Sequence, residues 1–578
     1  MAVIGIDLGT TNSLVVAFQN GKEVLIPNTM NEYLTPSVVS LNENNEFIVG
    51  KAARERLISH PKHTASLFKR KMGTKDKIIL GKNIYTPEEL SAIVVKQLVE
   101  DAKNYLNEEI EEIVISVPAY FDSKQRYATK KIGELLGIKV ERLINEPSAA
   151  SVVCHNGDDF ETFVVFDFGG GTLDVSVVDC FDNVVGVCSI AGDNNLGGSD
   201  FDKIIALDFC EEHNINFSEL PIFKQESLLR IAEKVKLELQ ENEEVLMSAI
   251  WNEQEYKSIY TQERLYEQSN VIFSKIRKII GKAVRDSGFS GEELDSLILV
   301  GGSSNMTIIQ KYLKDLLNIP VLYTGDVDTL VARGLGKYIG IKQRDETIKD
   351  LVVSDVCPFS LSTATSNITD ANNPYASVII AKNTTLPCSK ESSFSTSQLG
   401  QTKIKVGVYQ GESIYANENL LLGESEIKIP KNLKDYERII VTYSYDINSM
   451  LYVEVYILSN KQKYTFCVGE GLELESTQNI KTLNAIKEVS IKINKEPELE
   501  LLRARIKRIA MEMDKNTVQY FQNFIDIMEK NFNDNVNSIR KRIEMIEKYN
   551  NALDQFEQEL NVDNLDIFQK EDADEWLS

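Results

Sequence analysis

The sequence predicts a multidomain protein in which a long α/β region precedes an all-β unit and a helical end. Two observations predict the α/β region: short apolar strands alternate with helical segments, and one strand–glycine turn–strand pattern occurs twice. A third observation is the change near residue 356 to short alternating strands, followed near residue 476 by charged helical sequence. A chain of 578 residues has room for three or four such units.

One copy of the repeated pattern spans residues 164–178 (VVFDFGGGTLDVSVV). Its glycines, residues 169–171, allow positive φ and let backbone N–H groups approach a ligand. Thr172 adds a hydroxyl group, and Asp167 and Asp174 place a carboxylate at each end of the turn. Such donors and hard oxygen ligands suit a phosphate chain with its Mg²⁺, although three glycines alone fit a plain β-hairpin equally well.

A second copy lies near the start of the chain. Residues 7–13 (DLGTTNS) join two apolar runs, and Asp7, Gly9 and Thr10 take the places of the first aspartate, first glycine and threonine of the other turn. A single D-x-G-T turn is weak evidence. The pair favours two similar lobes that face each other over one nucleotide.

Two side chains outside the turns are further candidates for phosphate chemistry. Lys69 belongs to a basic cluster that is either a solvated positive patch or a source of one lysine for the transferred phosphate. Glu146 follows an apolar strand and precedes Pro147 at the first position of a helix. Open α/β sheets place ligands at that end of a strand, whereas the alternative role of Glu146 is to complement the helix dipole.

Capping signals predict two helices in the first half of the chain. Thr86 with Glu89 forms a capping box that starts a helix over residues 87–106. A second helix covers residues 123–136 and stops at Gly137.

Two later segments have clear local patterns, and the second of them could contact a base or a sugar. An amphipathic helix over residues 228–240 carries Glu233 and Lys236. A buried strand at residues 297–300 runs into two glycines and a serine, residues 301–303, which would open the next helix and let its backbone come close to a ligand.

Composition excludes several classes of function. The net charge of −24 argues against a nucleic-acid binder and favours basic or apolar partners. Seven scattered cysteines without a C-x-x-C pair, and only four histidines, argue against structural zinc or a disulfide framework and for a reducing compartment. No uncharged run is long enough to cross a membrane, so we expect a cytoplasmic protein without a membrane partner.

Residues 350–355 (DLVVSD) form a short apolar run between aspartates. Leu351, Val352 and Val353 make it too apolar to stay solvated as a flexible linker. We therefore expect a segment that docks in one state and is released in another. The alternative is that it is simply the first strand of the next domain.

The second half of the chain divides into a β unit and a helical unit. Alternating strands are predicted at residues 376–381, 404–409, 438–445 and 451–457. Beyond residue 476, apolar residues between positions 536 and 553 recur at three-, four- and seven-residue steps, which is typical of a core or helix-pair seam.

Motifs in a fixed order reveal a resemblance that covers residues 1 to about 460. The chain resembles the seventy-kilodalton heat-shock (DnaK-type) chaperones, most closely the HscC-type bacterial members, to which the run FKRKMGT (68–74), the run SYDIN (444–448) and the short helical end point. The family motifs are GIDLGTTNS (5–13), VPAYF (117–121), INEP (144–147), FDFGGGTLD (166–174), LVGGS (299–303), AKNTTLP (381–387) and VYQGE (408–412).

The resemblance implies the fold and the division of the chain. It implies an actin-like nucleotide-binding (ATPase) domain at 1–345, with two lobes built on ribonuclease-H-like sheets. An interdomain linker at 346–355 would lead to a β-sandwich substrate-binding domain at 356–475. Residues 476–578 would form a helical lid and an acidic tail.

The resemblance also implies roles for individual residues. Lys69, Glu146, Asp167 and Thr172 would be catalytic, and Asp7 and Asp167 would hold Mg²⁺, partly through water, with K⁺ as a further candidate ion. The implied nucleotide-binding residues are Asp7, Gly9, Thr10, Thr11, Asn12, Gly169, Gly170, Gly171, Thr172, Gly198, Glu233, Lys236, Gly301, Gly302, Ser303 and Asp328. The implied allosteric residues are Pro118, Arg126, Leu351, Val352 and Val353, and the implied peptide-binding residues are Thr363, Phe394, Ser397, Ile404 and Val406.

The function that the resemblance implies is an ATP-dependent chaperone. It would bind extended apolar segments of unfolded polypeptides, with ATP hydrolysis to ADP controlling peptide affinity, and work with a J-domain co-chaperone. The stretch between residues 240 and 266 looks shortened, which leaves the need for a nucleotide-exchange factor open. Two alternatives are a sugar or metabolite kinase on the same actin-like fold and a nucleotide-switched binding module with little turnover.

Overall fold

The computed structural model shows a chain of three packed parts: a two-lobed part, a β unit and a helical part. Among the described helices, none combines the length and the apolar run that crossing a bilayer requires. The described residues are 2–155, 161–181, 184–251, 254–322, 326–345, 352–367, 370, 372–448, 450–468, 491–494, 496–512, 527–528, 530 and 539–561.

Lobe I covers the first part of the chain, up to residue 155. Its strands are β1 (Ala2–Leu8), β2 (Asn12–Gln19), β3 (Lys22–Ile26), β4 (Thr35–Pro36), β5 (Val39–Leu41), β6 (Phe47–Val49), β7 (Thr64–Ala65), β8 (Ile78–Leu80), β9 (Asn83–Tyr85), β10 (Ile110–Val117) and β11 (Lys139–Asn145). Its helices are α1 (Lys51–Ser59), α2 (Pro87–Leu106), α3 (Ser123–Leu136) and α4 (Glu146–Cys154). The capping box at Thr86 and the left-handed stop at Gly137 are both present, so these helix boundaries are confirmed.

Lobe II follows, and its sheet receives a last strand from the segment after residue 351. Its strands are β12 (Glu161–Phe168), β13 (Leu173–Phe181), β14 (Val184–Asp193), β15 (Glu244–Trp251), β16 (Gln254–Thr261), β17 (Ser296–Val300), β18 (Val321–Leu322) and β19 (Val352–Ser354). Its helices are α5 (Gly198–Glu212), α6 (Ile222–Glu238), α7 (Gln262–Gln268), α8 (Asn270–Ser287) and α9 (Thr307–Leu317). The next helix, α10 (Leu330–Lys342), returns to lobe I and packs on α4 and on strands β1, β2 and β3.

The two lobes repeat one sheet topology. Lobe I has the order β11-β10-β1-β2-β3 and lobe II the order β18-β17-β12-β13-β14, with β19 added at the edge. In each lobe three hairpin-linked strands are antiparallel, and the two remaining strands run parallel to the first. Strands joined by tight turns pair antiparallel, whereas parallel strands need longer crossovers, usually helical. The duplicated turn in the sequence therefore corresponds to a duplicated sheet.

The β unit consists of two four-stranded antiparallel sheets, with the orders β21-β20-β23-β24 and β22-β25-β26-β27. Side chains alternate between core and surface along β25, as period-two patterning requires. The core lies between the sheets around Val408, Val441, Val453 and Val455. The strands are β20 (Leu361–Thr365), β21 (Tyr375–Ile380), β22 (Cys388–Ser395), β23 (Lys403–Gln410), β24 (Leu420–Lys428), β25 (Arg438–Tyr445), β26 (Leu451–Ile457) and β27 (Lys463–Cys467).

The helical part packs on lobe I. Helix α11 (Pro497–Glu512) lies along α1, and α12 (Ile539–Asn561) packs on α11. Leu502, Ile506 and Leu553 form part of a small core between these helices, so the predicted apolar stripe is a helix-pair seam where it is described. Position 536 of that stripe lies outside the described residues.

Candidate functional site

The two glycine turns face each other across the cleft between the lobes. A methyl group on Gly170 would lie 1.8 Å from Thr11 Oγ1, and one on Gly171 would lie 2.4 Å from Thr10 Cγ2. None of Gly169, Gly170 and Gly171 has positive φ, so that expectation was wrong. Glycine is needed at Gly170 and Gly171 because the opposite lobe approaches too closely for a side chain.

Two backbone amides at this turn already donate hydrogen bonds within the protein. The backbone N–H of Gly169 donates to Thr172 O (3.1 Å), and that of Gly198 donates to Gly169 O (3.0 Å). Within the described residues, these two donors are therefore occupied, while Gly170 and Gly171 sit at the tip of the turn. The predicted phosphate cradle would therefore use the amides in the middle of the glycine run.

A buried lysine and several carboxylates meet beneath the turns. Lys69 lies in a short 3₁₀ helix, and its Nζ donates to Glu146 Oε1 at 3.0 Å with both side chains buried. Ser116 Oγ donates to Asp7 Oδ1 at 2.6 Å. Burial, then the Glu146 carboxylate, raises the pKa of Asp7 to about 7 and that of Asp167 well above its ordinary range. Such carboxyls favour the binding of a cation, which lowers the cost of their charge.

Asp174 is a site residue to which the family comparison of motifs gave no role. It is buried, and neither of its carboxylate oxygens has a hydrogen bond of normal geometry. Burial, then Glu146, raises its pKa to about 7, and the nearby backbone N–H groups of Ala119 and Tyr120 lower it only in part. Its position at the far end of the same turn as Asp167 is the sequence pattern that marked it as a candidate oxygen ligand.

Arg70 also joins the cleft, although only its neighbour Lys69 was assigned a role. Its Nε donates to Gly171 O at 2.8 Å, and its NH2 group lies 3.1 Å from Asp200 Oδ2. This arginine of lobe I therefore holds the glycine turn of lobe II. The basic cluster in the sequence was the available signal.

The predicted nucleoside contacts gather at one end of the cleft. Lys236 Nζ lies 2.6 Å from Asp202 and donates to Gly198 O at 3.2 Å, while a methyl group on Gly198 would lie 2.2 Å from Ser303 Oγ. Glu233, on the same helix as Lys236, forms an ion pair with Arg54 of α1 in lobe I. The structure thus brings these residues to the rim where the two lobes meet.

The glycines after β17 border the same cleft. Gly301 has φ +77°, and a methyl group there would lie 2.8 Å from Phe168 O and 3.1 Å from Asp167 Oδ1. A methyl group on Gly302 would lie 2.7 Å from Asp328 Oδ1. Only glycine satisfies both the backbone conformation and the space at Gly301.

Ser37 holds the turn of lobe I through both its side chain and its backbone. Ser37 Oγ donates to Gly9 O at 2.8 Å, and Ser37 N–H donates to Thr11 O at 2.7 Å. A methyl group on Gly9 would lie 1.9 Å from Asn12 O, so this turn also needs glycine at its tightest point.

Pro118 and Arg126, two of the predicted allosteric residues, lie between the cleft and the β unit. Arg126 is buried and donates to Asn145 Oδ1 at 2.7 Å and to Ala119 O at 3.1 Å. Asn145 directly precedes Glu146, and the loop that begins at Pro118 carries Tyr120. The Tyr120 ring packs on Phe359 of the β unit with 4.4 Å between ring centroids.

The segment after residue 351 is docked. Val352 and Val353 belong to β19, which pairs parallel with β14 at the edge of the lobe II sheet. Ser148 Oγ then donates to Asp355 Oδ1 at 2.5 Å. Leu351, the first predicted residue of this linker, lies outside the described residues.

The predicted peptide-binding residues are only partly brought together. Ile404 and Val406 are buried in the core of the β unit, and Phe394 packs half-buried against that core. Thr363 is buried on β20, in the same sheet as β23, whereas Ser397 is exposed beyond the end of β22.

The chain matches a known protein family over far more than the residues of the cleft. A family model described as Hsp70 protein matches residues 3–80 and 76–574, which include both glycine turns, the docked segment, the β unit and most of the helical part. The cleft alone would be compatible with other ATP-using proteins, but the match covers nearly the whole chain. The chain therefore belongs to the Hsp70 family, whose members bind nucleotide, hydrolyse ATP and act as molecular chaperones in protein folding.

Proposed function

We propose that this chaperone binds extended apolar segments of unfolded polypeptides and that ATP hydrolysis in the cleft controls its affinity for them. One observation carries the proposal: β19 is hydrogen-bonded to the sheet that supplies Asp167, while the same segment continues into the β unit. A change in how the lobes close would therefore act directly on the connection to the β unit. Coupling of two ligands requires such an element with two arrangements.

Family membership supports the division of the chain into an ATPase domain and a substrate-binding domain. The Hsp70 family has an actin-like ATPase domain and a substrate-binding domain, which we assign to residues 1–345 and 356–475. Residues 346–355 would be the linker, and residues 476–578 the lid and tail. The motif at residues 68–74 and the short helical end favour the HscC-type subgroup.

The cleft can promote hydrolysis largely through positioning and charge. Lys69, which is paired with Glu146, would orient the attacking water and stabilise negative charge on the γ-phosphate. Thr172 and the amides of Gly170 and Gly171 would hold the phosphate chain. The chain needs no covalent intermediate for this reaction.

The donor set fits a hydrated Mg²⁺. Among the described residues, no three acidic, histidine or cysteine side chains converge closely enough to bind one ion directly. Mg²⁺ commonly keeps several waters and binds through one or two carboxylates and substrate phosphates, as Asp7 and Asp167 would provide. When bound, the ion would neutralise charge on the phosphates. The buried Asp174 carboxylate would be the candidate ligand for a K⁺ ion.

Arg126 and the loop that begins at Pro118 would give the cleft a second connection to the β unit. Arg126 ties the loop at Pro118 to the end of the strand that carries Glu146, and Tyr120 in that loop packs on Phe359. We propose that nucleotide state reaches the peptide site through this loop and β19 together. Thr363, Phe394, Ser397, Ile404 and Val406 would line the peptide site.

Partners and location follow as part of the proposal. All seven cysteines are free thiols, which supports a reducing, cytoplasmic compartment. We expect a J-domain protein to stimulate hydrolysis.

An ATPase assay tests the proposal. The full chain is assayed alone, with an unfolded polypeptide, and with both that polypeptide and a J-domain protein. Stimulation by the polypeptide, which rises further with the J-domain protein, is the expected result. Stimulation by neither, or transfer of phosphate to a sugar, would contradict the proposal and favour the switch module or the kinase.

A further inference from the structure

The hairpin of β8 and β9 in lobe I has one apolar face that no described residue covers. Its inner face packs on the lobe, where Leu80 is buried in the core and Ile78 and Tyr85 lie beside it. The outer face carries Ile79 and Ile84, which are paired directly across the strands and are 65% and 58% exposed. Single exposed apolar residues are common on proteins, whereas adjacent ones form patches that mark contact sites.

Lysines surround the outer face of the hairpin. Lys77 directly precedes β8, Lys82 lies in the turn between the strands, and both are exposed. Lys62 is also exposed and lies beside the turn, because its carbonyl oxygen accepts a hydrogen bond from Gly81 N–H at 2.7 Å. Among the described residues, none of these three lysines forms an ion pair. The outer face therefore joins two isoleucines to several unneutralised positive charges.

The carboxylates nearest in sequence are engaged elsewhere. Asp76 lies 3.6 Å from Lys71 Nζ. Glu88 and Glu89 accept hydrogen bonds from backbone N–H groups of their own lobe. The positive charge of the hairpin is thus left to face solvent. In a chain with a net charge of −24, such a basic surface is an unusual place where an acidic segment would be attracted.

The end of the sequence has the complementary chemistry. Residues 562–578 (VDNLDIFQKEDADEWLS), which we call the acidic end, contain six acidic residues and one lysine. The run DEWL at residues 574–577 places two carboxylates beside two large apolar side chains. The acidic end lies outside the described residues. Its composition matches that of the outer face, where two isoleucines lie beside lysines.

The described chain passes close enough to the hairpin for the acidic end to reach it. Helix α12 ends at Asn561, and Glu557 in its last turns pairs with Arg508 of α11. Arg508 in turn pairs with Glu55 of α1. The end of α1 is followed directly by the 3₁₀ turn that contains Lys62. Fully extended, the acidic end spans at most about 60 Å, which is longer than this short path.

We propose that the outer face of the β8–β9 hairpin is a docking site for the acidic end of the same chain. In this arrangement the apolar pair at residues 576–577 covers the two isoleucines, and the carboxylates at residues 574–575 meet the lysines. Burial of apolar area stabilises the contact, and the opposite charges fix its orientation. The site involves neither the nucleotide nor the peptide, so it does not depend on the proposed function.

Tryptophan fluorescence tests the contact, because the sequence contains only two tryptophans, Trp251 and Trp576. In the full chain carrying Trp251→Phe, acrylamide quenching reports Trp576 alone. We expect Trp576 to be quenched less strongly there than in a free peptide of residues 562–578, because docking shields the indole ring. Quenching as strong as in the peptide would overturn the docking site. Shielding that is lost when the chain is diluted would also overturn it, since the occupant would then be a second copy.

Replacing the two isoleucines tests the apolar part of the site. In the Trp251→Phe chain, Ile79→Ser with Ile84→Ser should shift the docking equilibrium toward release by about tenfold or more, since both residues lose an apolar contact. Leu433→Ser changes a similarly exposed leucine of the β unit and is the matched control, which should leave quenching unchanged. Full shielding in the double variant, or equal release in the control, would overturn the proposal.

A charge exchange distinguishes direct contact from a general effect of net charge. Lys77→Glu with Lys82→Glu should make Trp576 more accessible to acrylamide, because like charges then meet. Adding Asp574→Lys and Glu575→Lys to that variant should restore the shielding, although these two substitutions alone should release the acidic end. A fourfold variant that stays released would show that these groups do not meet and would overturn the proposed arrangement.

Discussion

At the scale of single residues, the cleft is a set of buried charges whose environments set their roles. Lys69 and Glu146 form a close pair, whereas Asp7, Asp167 and Asp174 are buried carboxyls with raised pKa values. A lysine with a fixed partner keeps one geometry. Carboxyls with raised pKa values instead gain from a cation, which explains why the two kinds occur side by side in a nucleotide site.

Replacing Lys69 should separate catalysis from binding. We expect Lys69→Ala to lower the rate of ATP hydrolysis by about 100-fold or more, since loss of one charge-stabilising donor typically costs that much. ATP affinity should stay within about tenfold of wild type, because the amides and Asp7 remain. Lys71→Ala, in the same short helix but exposed, is the matched control and should hydrolyse normally. Wild-type turnover in Lys69→Ala would refute the catalytic role.

A second residue-scale prediction concerns Asp101 of α2, which is buried and has one carboxylate oxygen without a hydrogen-bond partner. Burial raises the pKa of Asp101 from 3.8 to about 6, although the hydrogen bond from Gln97 opposes this. The folded chain therefore binds a proton that the unfolded chain releases between these values, so stability falls as pH rises through this window. Above pH 6, the folded chain therefore carries the full free-energy cost of burying an ionised Asp101.

Asp101→Asn should remove that cost. We expect the variant to be more stable than wild type by at most about 3 kcal/mol at pH 8 and by about half as much at pH 5. Urea denaturation of both proteins at the two pH values measures the difference. Asp76→Asn, which neutralises an exposed carboxylate, should give no such pH-dependent gain. A gain that is equal at both pH values would contradict the role of ionisation.

At the scale of elements, β19 is the segment through which we propose that the two domains are coupled. It is a three-residue edge strand, and such a strand has few ladder bonds to hold it. Val352 is 59% exposed, while Val353 is half-buried and stands in register with the buried Val185. Its short length permits release, and its apolar inner face permits docking.

A charge on the inner face of β19 should uncouple the two domains. We expect Val353→Asp to reduce the stimulation of ATP hydrolysis by an unfolded polypeptide by about fivefold, because docking would bury a carboxylate. Val352→Asp places the same charge on the exposed face and should have a smaller effect. ATPase assays with and without polypeptide compare the two variants. Full stimulation in Val353→Asp would show that β19 does not carry the signal.

At the scale of the whole molecule, the β unit is docked on both lobes through separate contacts. Leu143 N–H donates to Asn448 Oδ1 at 3.1 Å, and Lys124 Nζ donates to Leu421 O at 2.8 Å. On lobe II, Lys382 forms an ion pair with Asp286 at the end of α8. Because the contacts reach both lobes, the docked arrangement depends on how the lobes are oriented.

Reversing one charge at this interface should favour the undocked arrangement. We expect Asp286→Lys to shift the docking equilibrium by about tenfold, since two like charges then meet. The double variant Asp286→Lys with Lys382→Asp should restore docking. Small-angle scattering of the ATP-bound chain reports the change as a larger radius of gyration.

The control for this experiment is Glu292→Lys, which makes the same change of charge at an exposed position of lobe II. It should leave the radius of gyration unchanged. An expanded double variant, or expansion in the control, would show that the Asp286–Lys382 pair does not hold the docked form.

Features that depend on neighbouring residues were predictable from the sequence. Helix α2 begins at its Thr86 capping box, α3 ends at Gly137, and the duplicated D-x-G turns lie in two sheets of the same strand order. Caps, glycine turns and hydrophobic periodicity act within a few residues. They are therefore readable before any packing is known.

The sequence allowed us to predict which residues line the cleft, but not how they contact one another. The duplicated turn and Lys69 identified the cleft, yet the reason for glycine at residues 170–171 was misread as positive φ. The true cause is the approach of Thr10 and Thr11 from the other lobe, which no local pattern encodes. Arg70 gains its role in the same way, from Gly171 and Asp200 in a distant part of the chain.

The sequence by itself determined the α/β, β and helical order of this chain and most residues of its cleft. Only the tertiary structure decided that α11 rests on α1 and that Arg508 reaches Glu55. In the sequence, charges such as Glu55 and Arg508 are indistinguishable from those of a solvated helix face. Their burial and pairing arise from packing between segments hundreds of residues apart, and it is this packing that holds the helical part on lobe I.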